Sequence, residues 1–169
     1  PSTNLFMLPP GHLSIAYIAG RLLPRVSLAA TLVGGMLPDI DICLVFWTQF
    51  NQVHRMVTHN LLFIILAAGL ASVAVRQQRG VFLGLLVGGG LHLLLDACFD
   101  TNPSNGIGVA LLWPFSNDYF SPINLLVPPD NPATWHQPLA MVQQSWASLW
   151  WELPPCILAL GLSRWLNVR

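Results

Sequence analysis

The chain has 169 residues, enough for one domain, with 54% hydrophobic and only 8% charged residues. An ordinary soluble domain carries about 25% charged residues, so this composition excludes a soluble monomer and a disordered tail and points to the bilayer as solvent. The seven cations, all Arg, balance seven carboxylates, and no basic patch exists to hold a nucleic-acid backbone.

Five apolar stretches follow in chain order. The first runs from about Gly11 to Leu23 and the second from about Ser27 to Leu37. The third runs from about His59 to Val75, the fourth from about Val81 to Phe99, and the last from about Leu139 to Leu166. Their length and their Leu and Ala content predict helices rather than strands. The expected fold is all-α: a membrane-embedded bundle of about five helices forming a single domain over 1–169. No apolar run free of a proline break reaches the ~20 residues that cross a bilayer core, which leaves room for a locally thinned membrane or partial entry. Pro154-Pro155 predicts a break or kink in the last helix. No cleavable signal peptide is expected, because the N-terminal stretch lacks a basic segment and Pro9-Pro10 interrupts it.

Between the fourth and fifth stretches lies a polar connection, about Asp100 to Pro138, that holds half of the fourteen prolines. It also carries Trp113, Tyr119, Phe120 and Trp135. Such a loop suits an ordered extracytoplasmic cap at a membrane–water interface. The cysteines Cys43, Cys98 and Cys156 lie far apart in apolar sequence and read as small buried thiols.

The few ionisable groups are unevenly placed. Arg21 and Arg25, Arg76 and Arg79, and Arg164 and Arg169 fall on one side if the stretches alternate direction. The positive-inside rule makes that side cytoplasmic. The other end collects His12, Asp39, Asp41, His54, His59, His92, Asp96 and Asp100, with Arg55 beside them. Taken singly, these residues have ordinary readings: a helix start, a helix cap, a core histidine bonded to a carbonyl. Together they point to a metal site. His92-x-x-x-Asp96 sets an imidazole and a carboxylate one turn apart on one helix face. Ionisable residues inside a membrane are functional by default. The donor set lacks thiolate, which suits one or two divalent ions, zinc first, with manganese or iron as alternatives. Two cations would suit phosphoester hydrolysis.

The ordered set Gly11-His12, Leu37-Pro38-Asp39-Ile40-Asp41, His54-Arg55-x-x-Thr58-His59, His92-x-x-x-Asp96 and Leu111-Leu112-Trp113-Pro114 resembles the YdjM-type membrane-bound metal-dependent hydrolases. The resemblance spans about 11–114. It departs from the family pattern at Met56, where Gly is common, and at Asp100-Thr101-Asn102-Pro103, where the Thr-Pro pair is displaced. That family is distantly similar to the zinc-dependent phospholipase C and P1 nuclease superfamily. The resemblance implies a multi-pass protein of the bacterial inner membrane and a hydrolase, by the remote link a phosphoesterase.

On the enzyme reading, His12, Asp39, Asp41, His59, His92 and Asp96 hold the metal and His54 is an acid/base or a further ligand. Arg55 clamps an anionic group, Trp113 helps wall the cleft, and the substrate is a membrane lipid or a lipid-linked phosphate. The alternative is a non-catalytic metal-binding or metal-transporting membrane protein. Against a conduit, the third and fourth stretches are nearly free of polar side chains at their cytoplasmic ends. Haem held by paired histidines is a third option, disfavoured by the adjacent aspartates.

Overall fold

Local sequence sets the helix starts. In the computed structural model, which describes residues 8–75, 78–99, 107–123 and 148–167 together with 137, 139, 140 and 143, α1 (Pro9–Leu22) opens on Pro9-Pro10. Proline's fixed φ and missing N–H suit the first helical turn. No local side chain caps α1. The buried Glu152, from far along the chain, accepts a hydrogen bond from the Leu8 amide. Ser27 caps α2 (Leu28–Met36), its hydroxyl accepting from the Ala30 amide at 3.3 Å. A 3-10 helix (Pro38–Leu44) and the short α3 (Phe50–Val53) follow. Asn60 caps α4 (Leu61–Ala74): its Oδ1 accepts from the Phe63 amide, and its Nδ2 donates to the carbonyls of Met56 and Val57, all at 2.8 Å. α5 (Gln78–Phe99) and α6 (Ser148–Asn167) complete the bundle.

Among the described residues the regular structure is helical, and five longer helices carry it, as the apolar pattern implies. Three details differ from the sequence reading. The cysteines are not the buried thiols expected: Cys43 is exposed and Cys98 and Cys156 are half-buried. Arg79–Phe99 of α5 forms a 21-residue segment long and apolar enough to span a membrane. It exceeds the run starting at Val81 because the backbone stays helical through Arg79 and Gly80. In addition, α6 runs through Pro154 and Pro155 without a break. Proline removes its own amide donor but not the bonds of its neighbours, and the ladder on either side carries the helix across. α4, with 14 residues, stays short of the ~20 that a bilayer core needs. The outer faces of the helices are apolar: Leu70 and Val73 on α4 and Leu158 and Leu160 on α6 are each 60% exposed or more.

The helices align so that one end of the bundle collects the chemistry. The Ser27 amide bonds the Gly80 carbonyl at 2.9 Å, so α2 and α5 start side by side and run parallel. α1 returns against them. α6 lies along α1, where Glu152 meets Leu8 and Cys156 meets Ser14 at 3.1 Å. Arg21, Arg25, Arg79 and Arg164 therefore share one end, all exposed; Arg76 and Arg169 lie outside the described residues. His12 near the start of α1, Asp39 and Asp41 after α2, and His92 and Asp96 near the end of α5 share the other.

Of the long connection, residues 107–123 fold over that second end. Val109 and Phe120 exchange two backbone hydrogen bonds, of 3.2 and 2.8 Å. The Ala110 amide bonds the Arg55 carbonyl at 3.1 Å, and the Leu111 carbonyl accepts from Leu61 at 3.1 Å. The Ser121 hydroxyl reaches the Ala97 carbonyl at 2.8 Å. The rest of the expected cap, 100–106 and 124–136, lies outside the described residues.

Glycine makes the α2–α5 contact possible. A Cβ on Gly88 would overlap the Thr31 carbonyl oxygen and come within 2.7 Å of the Gly35 amide nitrogen. One on Gly34 would lie 2.6 Å from the Leu85 carbonyl oxygen. Small residues let two helix backbones approach in this way. At Gly90, by contrast, a Cβ meets nothing within 4 Å. Gly88→Ala should therefore cost about 1–3 kcal/mol of stability. Gly90→Ala should be neutral or stabilising by about 0.4–1 kcal/mol. Thermal unfolding of the two variants in the same detergent measures the difference, and equal midpoints would contradict the close approach.

Candidate metal centre

The close approach of α2 and α5 sets the depth of His92. Its Nδ1 lies 2.8 Å from the Gly35 carbonyl oxygen. A carbonyl can only accept, so Nδ1 carries the proton, and in the neutral form of the ring Nε2 presents the lone pair. His59 is held by a different device. The Thr58 hydroxyl donates to Asp41 Oδ2 at 3.0 Å and lies 3.1 Å from His59 Nδ1. With its single proton committed to the carboxylate, Thr58 accepts from His59 Nδ1–H. His59 Nε2 therefore presents a lone pair too. Burial pushes the His59 imidazole down to about 4, against the pull of Asp39 and Asp96, so the ring is neutral at pH 7.

These two lone pairs face each other and two carboxylates. His59 Nε2 and His92 Nε2 are 3.4 Å apart. Asp96 Oδ2 lies 3.4 Å from the first and 3.3 Å from the second. Asp39 Oδ1 lies 3.5 and 3.6 Å from the same atoms. A tetrahedral ion with bonds of about 2.0–2.1 Å separates its ligand atoms by about 3.3–3.4 Å. His59, His92 and Asp96 thus stand at the edge lengths of one face of such a tetrahedron, with Asp39 at a similar distance from both imidazoles. Without a cation or a shared proton between them they repel, and burial strengthens that repulsion. Donor type, spacing and orientation fit a divalent cation.

The remaining members surround this core. His12 stacks on His92, with ring centroids 3.9 Å apart, and its Nε2 lies 3.3 Å from Asp96 Oδ1. His12 Nδ1 is buried without a hydrogen-bond partner among the described residues. His54 Nδ1 lies 3.0 Å from Asp41 Oδ2. Arg55, at φ 66°, brings its Nη1 to 3.8 Å from Asp96 Oδ2. The side chain of Asp39 is 15% exposed; His12, Asp41, His54, Arg55, His59, His92 and Asp96 are each 6% exposed or less.

The structure thus brings His12, Asp39, Asp41, His54, Arg55, His59, His92 and Asp96 into one buried cluster. Asp100 lies outside the described residues. Three groups of donors stand close enough to share an ion: His12, Asp39 and His92; His59, His92 and Asp96; and Asp41, His54 and His59. Two parts of the centre carry no role in the sequence reading. Thr58 stands in the Thr58-His59 pair, where a hydroxyl one residue from an imidazole is a usable signal. The Gly35 carbonyl leaves no signal beyond a glycine.

Fold and site define a helical bundle of apolar exterior with a buried imidazole–carboxylate cluster at one end whose donors could hold a metal ion. The chain belongs to the YdjM inner membrane protein family, whose profile matches residues 7–168. The match extends well beyond the 11–114 segment that carries the sequence motifs. No curated protein and no solved structure matches the chain.

Proposed function

We propose that the chain is a metal-dependent hydrolase of the inner membrane that cleaves a phosphoester of a lipid or lipid-linked anionic substrate. The observation that carries this reading is the meeting of His59, His92 and Asp96 at the edge lengths of a tetrahedral ion, with Asp39 3.5 and 3.6 Å from the two imidazole nitrogens. Zinc matches the nitrogen and oxygen donors and the spacing. A divalent cation, when bound, supplies Lewis acidity toward a phosphoryl oxygen and acidifies water.

The chain's own residues do the rest. Asp41 accepts from His54 Nδ1–H and thereby fixes the tautomer and ring orientation of His54. So oriented, His54 moves the proton between the attacking water and the leaving group. Arg55 places a planar, permanently charged fork beside Asp96 and holds an anionic substrate oxygen. Asp39 is the most open carboxylate of the cluster, so substrate reaches the centre past the 3-10 helix. Its flanking residues Leu37 and Ile40 line an apolar cleft with Leu13, Leu32, Val33 and Met36. An acyl or isoprenoid tail suits that lining, which supports an amphiphilic substrate.

The test is a phosphoester panel with the purified protein, loaded with zinc and then stripped by a chelator. Hydrolysis should appear with the ion and vanish without it. His54→Ala should keep the cation and lose about 10²–10⁴-fold in rate. Arg55→Ala should keep the cation and lose activity on anionic substrates, whereas Asp96→Ala should lose the cation. If Arg55→Ala loses the ion as fully as Asp96→Ala, Arg55 belongs to the scaffold. Cation binding without hydrolysis across the panel would favour a binding or transport protein instead.

The chain crosses the membrane more than once in this reading, and the metal centre faces the extracytoplasmic side. The exposed arginines at the opposite end support that orientation. In a chain whose three native cysteines are replaced, Asn117→Cys should react with an impermeant thiol reagent on intact cells. Arg79→Cys should be protected. The reverse pattern would place the centre in the cytoplasm.

A further inference from the structure

We propose that the cluster holds a single divalent cation, and that Thr58 is its positioning residue, coupling the Asp41 carboxylate to His59 so that His59 Nε2 stays aimed at the ion. The inference rests on the metal reading above and deepens it.

The hydrogen bonds separate the donors into two shells. Asp41 Oδ2 already receives the Thr58 hydroxyl and His54 Nδ1, both at 3.0 Å. A second ion among Asp41, His54 and His59 would have to take a lone pair from His59 in competition with the first. His54 Nδ1 faces an acceptor-only carboxylate and carries its proton. His59 Nδ1 faces the Thr58 oxygen at 3.1 Å, whose own proton points at Asp41. Both nitrogens are donors as the cluster stands. A neutral imidazole has one lone pair, and in His59 it lies at Nε2, among Asp39, His92 and Asp96. The group around Asp41 is thus a hydrogen-bonded outer shell, of the kind that orients metal-bound histidines.

Charge gives the same count. Among the described residues of the cluster, Asp39, Asp41 and Asp96 bring three negative charges, and Arg55 brings one positive charge, 3.8 Å from Asp96. With neutral histidines, one divalent cation cancels the remaining two. A second would leave the cluster doubly positive in a largely buried site, where net charge is expensive.

Thr58 acts through His59 and touches no reacting atom. Replacing its hydroxyl with the methyl of valine keeps the side chain's shape and removes the acceptor for His59 Nδ1–H. The ring is then free to take the other tautomer or to turn away from the ion. Serine restores the hydroxyl.

The test is calorimetric titration of the full chain, stripped of metal in detergent, with zinc alone. The wild type should take up one equivalent. Thr58→Val should bind about 10–100-fold more weakly, with unchanged helical circular dichroism, and Thr58→Ser should bind within a few-fold of the wild type. Two equivalents in the wild type would overturn the inference whatever the variants do. So would wild-type affinity in Thr58→Val. Both results leave the hydrolase reading standing. One equivalent of zinc with no phosphoester cleavage removes the hydrolase reading and keeps this inference, and failure to bind any divalent cation overturns both.

Discussion

Four hydrogen-bond acceptors that face one another in a largely buried space set the terms for the rest of this molecule. Two are imidazole nitrogens whose opposite ring nitrogens are committed, one to the Gly35 carbonyl and one to the Thr58 hydroxyl. Two are carboxylate oxygens. An arrangement like this is unstable unless positive charge sits at its centre, because each lone pair repels its neighbours and little water screens them. Arg55 answers part of the demand from the side of Asp96. A cation coordinated by all four answers it directly.

The bundle is built to hold that arrangement fixed. Glycines at the α2–α5 contact let Gly35 approach α5 closely enough for its carbonyl to meet His92. A bulkier pair would move the carbonyl and release the ring. The folded part of the long connection ties itself to the Arg55 carbonyl, to the start of α4 and to the end of α5. It folds over the end of the bundle that carries the centre and ties down α5, which carries His92 and Asp96. Glu152 performs a similar service at distance: it accepts from the Leu8 amide just before α1, one turn before His12. A membrane exterior fits this plan, since a helix such as α5 can be apolar on every outward face and still carry His92 and Asp96 inward.

Much of this was legible in the sequence because charged residues are scarce. With so few ionisable groups, the grouping of His12, Asp39, Asp41, His59, His92 and Asp96 at helix ends stood out, and the alternation of the helices then placed them at one end. The helices themselves were legible from their apolar runs, with α5 starting slightly earlier than its hydrophobicity indicates because Gly80 and Arg79 continue the backbone ladder. Less visible was the division of labour inside the cluster. Asp39 and Asp41 stand two residues apart in Asp-Ile-Asp, yet one faces the imidazole nitrogens and the other faces Thr58 and His54. That difference comes from the turn of a 3-10 helix, and spacing alone does not reveal it. The role of Glu152 was hidden for a similar reason: its partner lies at the far end of the chain, and neither its neighbours nor Pro154-Pro155 announces the contact.

The measurement that tests the central claim most directly is zinc X-ray absorption of the purified, metal-loaded protein. The account predicts one zinc in a shell of nitrogen and oxygen ligands at about 2.0–2.1 Å, with imidazole scattering and no sulfur at about 2.3 Å. A sulfur shell, or zinc in a fully hydrated environment with no imidazole signal, would contradict it.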